Sequence, residues 1–188
     1  MAKIGLNNFR YGFLTEASDG TPSYAGAKTP GAAISCNVEV SNNDAKLYAN
    51  DTVQESDTSF AGGTVTMGVD RADYQTQADL LGHEYSAEDG LVRSSNDVAP
   101  YVGLGRVVTQ MIDNVTNYRV EFIYKVKFAE PSQEDNTKGE SVEFSTVEME
   151  GTISQLANGN WSISQEFSTK EAAVTYLEGL LGGSPLSA

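Results

Sequence analysis

The sequence predicts an α+β fold that is mainly β: a β-sandwich or barrel with two flanking helices. Three observations predict it. Tyr118, Val120, Phe122, Tyr124, Val126 and Phe128 fall on every second residue. Six apolar positions in strict alternation mark a strand, whose successive side chains face opposite sides. Shorter runs of the same period recur along the chain between turn-forming residues. Apolar residues at helical spacing are confined to two stretches, about 71–81 and 169–181.

Taken in order, residues 6–14 form the first strand, with Phe9, Tyr11 and Phe13 alternating. Residues 18–32 are rich in Gly, Ser, Thr and Pro and carry an Asp19-Gly20 turn signal, so they predict a loop. Ile34, Cys36, Val38 and Val40 alternate on the next strand. Residues 41–63 are polar and acidic, with sparse Leu47, Tyr48, Val53 and Phe60. A long loop inside a compact domain is usually functional or disordered, and the embedded apolar residues favour an ordered loop that docks on something. Val65, Met67 and Val69 mark a strand over 63–69. Asp70 or Asp73 offers an N-cap for the first helix, whose apolar residues are Tyr74, Ala78 and Leu81. Gly82 suits its C-terminal cap.

Residues 98–112 predict a strand interrupted by Gly103 and Gly105, which turns at Asp113-Asn114 into the long alternating strand. A polar loop over 130–139 follows. The return strand carries Val142 and Phe144 on even positions, then Val147, Met149 and Ile153 on odd ones. A one-residue phase change of that kind predicts a β-bulge. Asn158-Gly159 is a hairpin-turn pair, and Trp161, Ile163 and Phe167 alternate on the last strand. Ser168 with Glu171 forms a capping box for the second helix, whose stripe is Ala173, Val174, Leu177, Leu180 and Leu181. No repeat and no linker divides the chain. Residues 1–181 therefore form a single domain, and 182–188 a flexible tail.

Composition narrows the function. The 188 residues carry 26 acidic and 12 basic side chains, a net charge of −14. Such a surface repels nucleic acid and excludes DNA binding through the overall field. It suits solubility, or contact with DNA in which sticking is avoided. The one cysteine, Cys36, allows no intramolecular disulfide and reads as a strand residue. The N-terminus lacks the apolar run of a signal peptide. No segment approaches the ~18 apolar residues of a membrane span, so synthesis in the cytoplasm and no membrane partner are expected.

Catalytic motifs are sparse. His83 is the one histidine and reads as a surface or capping residue just past the first helix. A zinc site needs several His, Cys or carboxylate ligands at fixed spacing, and Cys36 lies far from His83 in sequence. Gly103-Leu104-Gly105-Arg106 resembles a nucleotide-binding glycine motif, but the third glycine and the following helix are missing. Glycines that permit close packing in a strand are the expected reading. The acids of 135–140 lack the oxygen spacing of a calcium loop. No catalytic residue, metal ligand or cofactor is predicted, and binding or assembly is favoured over catalysis.

Several stretches carry more. Lys125-Val-Lys-Phe128, Glu130-Pro-Ser-Gln133, Asn136-Thr-Lys-Gly-Glu-Ser141, Asp97-Val-Ala-Pro-Tyr-Val-Gly-Leu-Gly-Arg106, Asn42-Asn-Asp-Ala-Lys-Leu-Tyr-Ala49 with Glu55-Ser-Asp57, and Ala78-Asp-Leu-Leu-Gly-His83 occur in this order. As a set they resemble the major tail protein family of long-tailed bacteriophages of Gram-positive hosts, over residues 4–181. The resemblance implies a fold of the phage tail tube type and a structural subunit of the virion tail, made in the host cytoplasm. It implies hexameric rings stacked into a hollow conduit for viral DNA, built around a tape-measure protein. It also implies an acidic lumen, past which phosphates slide without binding.

In that setting 41–63 becomes an extended docking loop, with Leu47, Tyr48 and Phe60 as apolar anchors. The odd face of the long strand carries Arg119, Lys125 and Lys127. These bases are expected to pair with Glu143, Glu148 or Glu150 on the return strand, or to sit at a subunit contact. Asp44, Asp51, Glu55, Asp57, Glu134 and Asp135 are the candidates for lumen-lining acids. A reading of a different class is a virion decoration or host-binding β-sandwich, equally acidic and non-enzymatic, which would not form tubes.

Overall fold

A computed structural model describes residues 2–49, 52–112, 114–132 and 146–182. The chain is mainly β, with antiparallel sheets and two helices. In chain order the elements are β1 Ala2–Glu16, β2 Pro22–Lys28, β3 Ala33–Asn42, β4 Ala45–Ala49, β5 Thr52–Asp57, β6 Phe60–Val69, α1 Tyr74–Leu81, β7 Glu84–Ser86, β8 Gly90–Val92, β9 Val102–Ile112, β10 Val115–Phe128, β11 Val147–Ile153, β12 Ser162–Phe167 and α2 Lys170–Leu180. The main sheet runs β2-β1-β9-β10-β11-β6-β3, with β12 also paired to β10. It curls so that β1 approaches β3. Two short hairpins, β4–β5 and β7–β8, stand apart as sheets of their own.

Two apolar cores form on the two sides of the sheet. The inner one gathers Phe9, Tyr11, Val65, Met67, Val69, Val102, Leu104, Ile123, Val126, Phe128, Met149 and Ile153, with Leu80 and Leu81 supplied by α1. The outer one lies under α2 and joins Val107, Val120 and Phe122 to Ala173, Leu177 and Leu181. Each fully buried side chain of this size contributes about 1.5–3 kcal/mol.

The long strand serves both cores, and this corrects the expectation of one core face and one solvent face. Val120 and Phe122 point to α2, while Ile123, Val126 and Phe128 point inward. Ile123 lies opposite Leu104 and Val126 opposite Val102, so β10 spends one residue more than β9 over this interval. That extra residue is a bulge, and it sends the even-numbered residues beyond it to the other side. The alternation in the sequence runs through unbroken because both sides are apolar. The bulge expected near 144–147 falls largely in 133–145, outside the described residues.

The return strand also differs from expectation. β10 and β11 share only the pairs Val126–Ile153, Lys127–Thr152 and Phe128–Gly151, and β11 pairs along its whole length with β6. The place it leaves beside β10 is taken by β12, from Ile123–Ser162 to Tyr118–Phe167. Gly159 does turn at φ 86°. Yet β11 and β12 are not a hairpin; both are partners of β10.

Residues 18–32 are not all loop, since β2 pairs with β1. The run Ser23-Tyr24-Ala25-Gly26-Ala27 has weak intrinsic strand preference, and pairing overrides it. Residues 41–63 likewise hold the β4–β5 hairpin and the start of β6. A detached two-stranded ribbon does not build a layered core, so its sequence lacks the dense alternation that betrays a core strand. Helix α1 starts at Asp73, whose carboxylate accepts from Thr76 N at 2.7 Å, and it ends on Gly82 at φ 78°. Tyr74 is exposed, and Thr76 and Gln77 are buried in its stead. The cap of α2 is Thr169, which accepts from Ala172 N, and not Ser168. The predicted stripe of α2 packs as expected.

Gly103 and Gly105 serve close packing. A β-carbon on Gly103 would lie 2.6 Å from Phe122 Cζ, and one on Gly105 would strike Leu177 of α2 and Phe122. The sheet thus lets α2 and an aromatic side chain sit directly on its backbone.

Candidate assembly surfaces

The basic residues on β10 find partners within the subunit, though not those expected. Lys125 donates to Glu16 Oε2 at 2.7 Å, and Ala157 N donates to the other oxygen at 2.6 Å. The Lys125 bond first, and then the Ala157 amide, holds the Glu16 carboxyl below the usual glutamate range. Lys125 and Lys127 both lie over the Tyr101 ring, at 4.9 and 5.5 Å from its centroid, a cation–π arrangement. Arg119 Nε lies 3.4 Å from Glu121 Oε1. With the Gln110 amide oxygen turned to the guanidinium, Gln110 accepts from Arg119 Nε at 2.6 Å. The carboxylates met are therefore Glu16 and Glu121, not Glu148 or Glu150 of β11. Glu143 lies outside the described residues.

Arg106 also pairs with Glu121 and donates to Cys36 Sγ at 2.7 Å. Arg106 is 8% exposed, so the pair is a largely buried polar element beside the inner core, against which Cys36 packs. Sequence reading did not find it. The signal available was a lone arginine in the otherwise apolar run of β9, facing Glu121 across the strand pair. Cys36 and His83 do not form a dyad, because both ring nitrogens of His83 are engaged by Asp97 and Glu130.

Of the expected apolar anchors, Phe60 is half-buried and stacks on Trp161 with centroids 4.9 Å apart and planes 3° from parallel. One face of its ring is thus spent within the subunit. Leu47 and Tyr48 lie on β4, paired to Glu55 and Val53 of β5. Among the acids, Asp44 is exposed and 3.2 Å from Lys46 Nζ. Glu55 and Asp57 belong to β5. Asp51, Glu134 and Asp135 lie outside the described residues, as do 183–188 of the expected tail.

Among the described residues, several strands pair on one side only. β2 and β3 end the main sheet. β12 presents an outer edge on which Ser164, Gln165 and Glu166 are exposed. The β4–β5 ribbon pairs, among the described residues, with no other strand. Exposed edges are templates for further pairing unless they are covered or charged. Next to the ribbon's base, a groove of about 440 Å³ is lined by Ser41, Phe60, Gly62, Thr64, Thr152 and Gln155.

Among the described residues, no group of three or more His, Cys, Asp or Glu side chains is placed to hold a metal ion. No helix among them is long and apolar enough to cross a membrane. No family model and no curated protein matches the chain.

Proposed function

We propose that this chain is a structural subunit of a phage tail tube, which assembles as hexameric rings stacked into a hollow conduit for viral DNA. The observation that carries the reading is the detached β4–β5 ribbon beside a sheet whose end strands, among the described residues, pair on one side only. A lone two-stranded hairpin is marginal in water, and it gains stability when a neighbouring subunit receives it. Cyclic, head-to-tail contact between copies satisfies both the ribbon and the sheet edges, and stacking extends the same logic along an axis.

The net charge of −14 supports the conduit. Phosphates passing carboxylates find no wells in which to stall, whereas a basic lining would release counterions and bind. The internal pairing of Lys125 and Arg119 agrees with this, since these bases are engaged by Glu16 and Glu121. A tape-measure protein inside the tube and other tail proteins at its ends are the further partners this reading assigns.

Negative-stain microscopy of the purified chain at high concentration tests the proposal. Hollow tubes or six-fold rings are expected. Monomers or trimers at every concentration would overturn it and favour a decoration or host-binding protein.

A further inference from the structure

His83 sits where three segments meet. It follows the left-handed Gly82 that ends α1, and its side chain is 8% exposed. Its Nδ1 lies 2.6 Å from Asp97 Oδ2, in the turn after β8. Its Nε2 lies 2.8 Å from Glu130 Oε2, just past the end of β10. Each carboxylate is itself held. Ser94 N donates to Asp97 Oδ2 at 2.7 Å. Arg93 Nε donates to the far oxygen of Glu130 at 2.7 Å and reaches Gln77 of α1 with its Nη2. Gln77 in turn donates to Ala72 O.

A neutral imidazole has one N–H donor and one bare lone pair. An ionised carboxylate only accepts. A ring flanked by two carboxylates at these distances can satisfy both only as imidazolium, with both nitrogens donating. In the neutral form, one lone pair faces a carboxylate oxygen at less than 3 Å.

We propose that His83 is a proton-dependent clamp that fastens the end of α1, the Arg93–Asp97 turn and the end of β10 to one another. Protonated, it bridges Asp97 and Glu130. On losing its proton it repels one of them, and the segment it held is released. The groups facing it are Asp97 and Glu130, with Arg93 behind Glu130 partly offsetting that carboxylate's charge. Burial disfavours the charged ring, but the bonds and charges of Asp97 and Glu130 outweigh it, and the pKa of His83 lies above the ordinary histidine value. The clamp is therefore closed below that ordinary value, about 6.5, and opens as pH rises through the folded one. It does not depend on how the chain assembles.

Hydrogen-exchange mass spectrometry on the full chain, corrected for the intrinsic rate, tests this between pH 5.5 and 9, a range chosen to bracket the ordinary value of about 6.5. Opening of the segments around 82–97 and 126–130 is expected to rise by up to about tenfold per pH unit across the window between the ordinary and folded values. Glu130→Gln removes one acceptor charge at a partly exposed position and is expected to shift that rise to lower pH. His83→Gln is expected to abolish it. Opening that is independent of pH in the native chain, or a rise left unmoved by Glu130→Gln, would overturn the clamp. Those two readings stand even if His83→Gln does not fold.

Discussion

Leu177 of α2 seats its side chain directly on the backbone of Gly105 in β9, where a β-carbon would occupy its place. Phe122 closes the same contact from β10, 2.9 Å from that β-carbon position. The helix is thus fixed to the sheet by an absent side chain. Gly105→Ala is expected to destabilise by about 1–3 kcal/mol, the usual cost of overpacking, in urea unfolding. Leu177→Ala alone costs about 2–5 kcal/mol. The double variant should lose less than the sum of the two, because removing Leu177 makes room for the added methyl.

The Arg106–Glu121 pair predicts a second outcome. Both side chains are largely buried, at 10% and 16% accessibility. Glu121→Ala leaves two guanidinium groups, Arg106 and Arg119, without that carboxylate. Breaking one side of a buried pair costs about 3–5 kcal/mol, so the unfolding midpoint should fall accordingly. Replacing Glu121 and Arg106 together with apolar residues of similar volume should recover much of the loss.

Stability should form a dome in pH. Bonds from the Thr76 hydroxyl and amide hold the Asp73 carboxyl below its usual range. The Ser94 amide and then His83 do so for Asp97, and Lys125 and Ala157 for Glu16. Each contributes stability that is present above the unfolded value, about 4, and lost as pH falls through the lower folded one. His83 has the opposite sign. Its contribution is full below about 6.5 and lost as pH rises above it. Thermal melts should therefore peak between roughly pH 4.5 and 6.5, and His83→Gln should flatten the alkaline side and weaken the part of the acid side that Asp97 owes to His83.

Deleting residues 44–58 should separate folding from assembly. β3 and β6 pair directly from Ala33–Val69 to Asn42–Phe60, so a short turn between them leaves the main sheet intact. Circular dichroism is expected to keep its strand signature. If the chain assembles as proposed, electron microscopy is expected to show tubes for the full chain and none for the deletion, and tubes that still grow would remove the ribbon from the assembly surface.

Much of the fold was legible because alternation reports burial. Strands β1, β6, β9, β10 and β11 and both helices carry their pattern in the residues they bury, whereas β3 and β12 only half-bury theirs, and Ile34 and Val40 of the expected β3 stripe are exposed. What stayed hidden has a common cause. Periodicity says which residues share a side, not which strand lies alongside. Tyr118–Phe128 looked like half of a hairpin with 142–153, yet β12 holds most of its outer edge. The inversion at the bulge left no mark, because Phe122 and Val126 are both apolar and serve different cores. Pairs such as Lys125 with Glu16 span 109 residues, and no local pattern encodes a partner at that distance. The ribbon of 45–57 showed itself in its length and acidity, and its strands did not.

The position of β1 in the sheet has a consequence in time. Asn7 meets Thr109 at a separation of 102 residues, and β2 supports β1 only from Tyr11 onward. A ribosome adds about 5–20 residues per second. The first ten residues, with Phe9 among them, must therefore wait roughly 5–20 s after emerging before β9 exists to receive them. Through that interval the nascent chain carries an unpaired apolar strand. The rate of synthesis, and whatever shelters that strand meanwhile, then governs how much of the protein reaches the folded state.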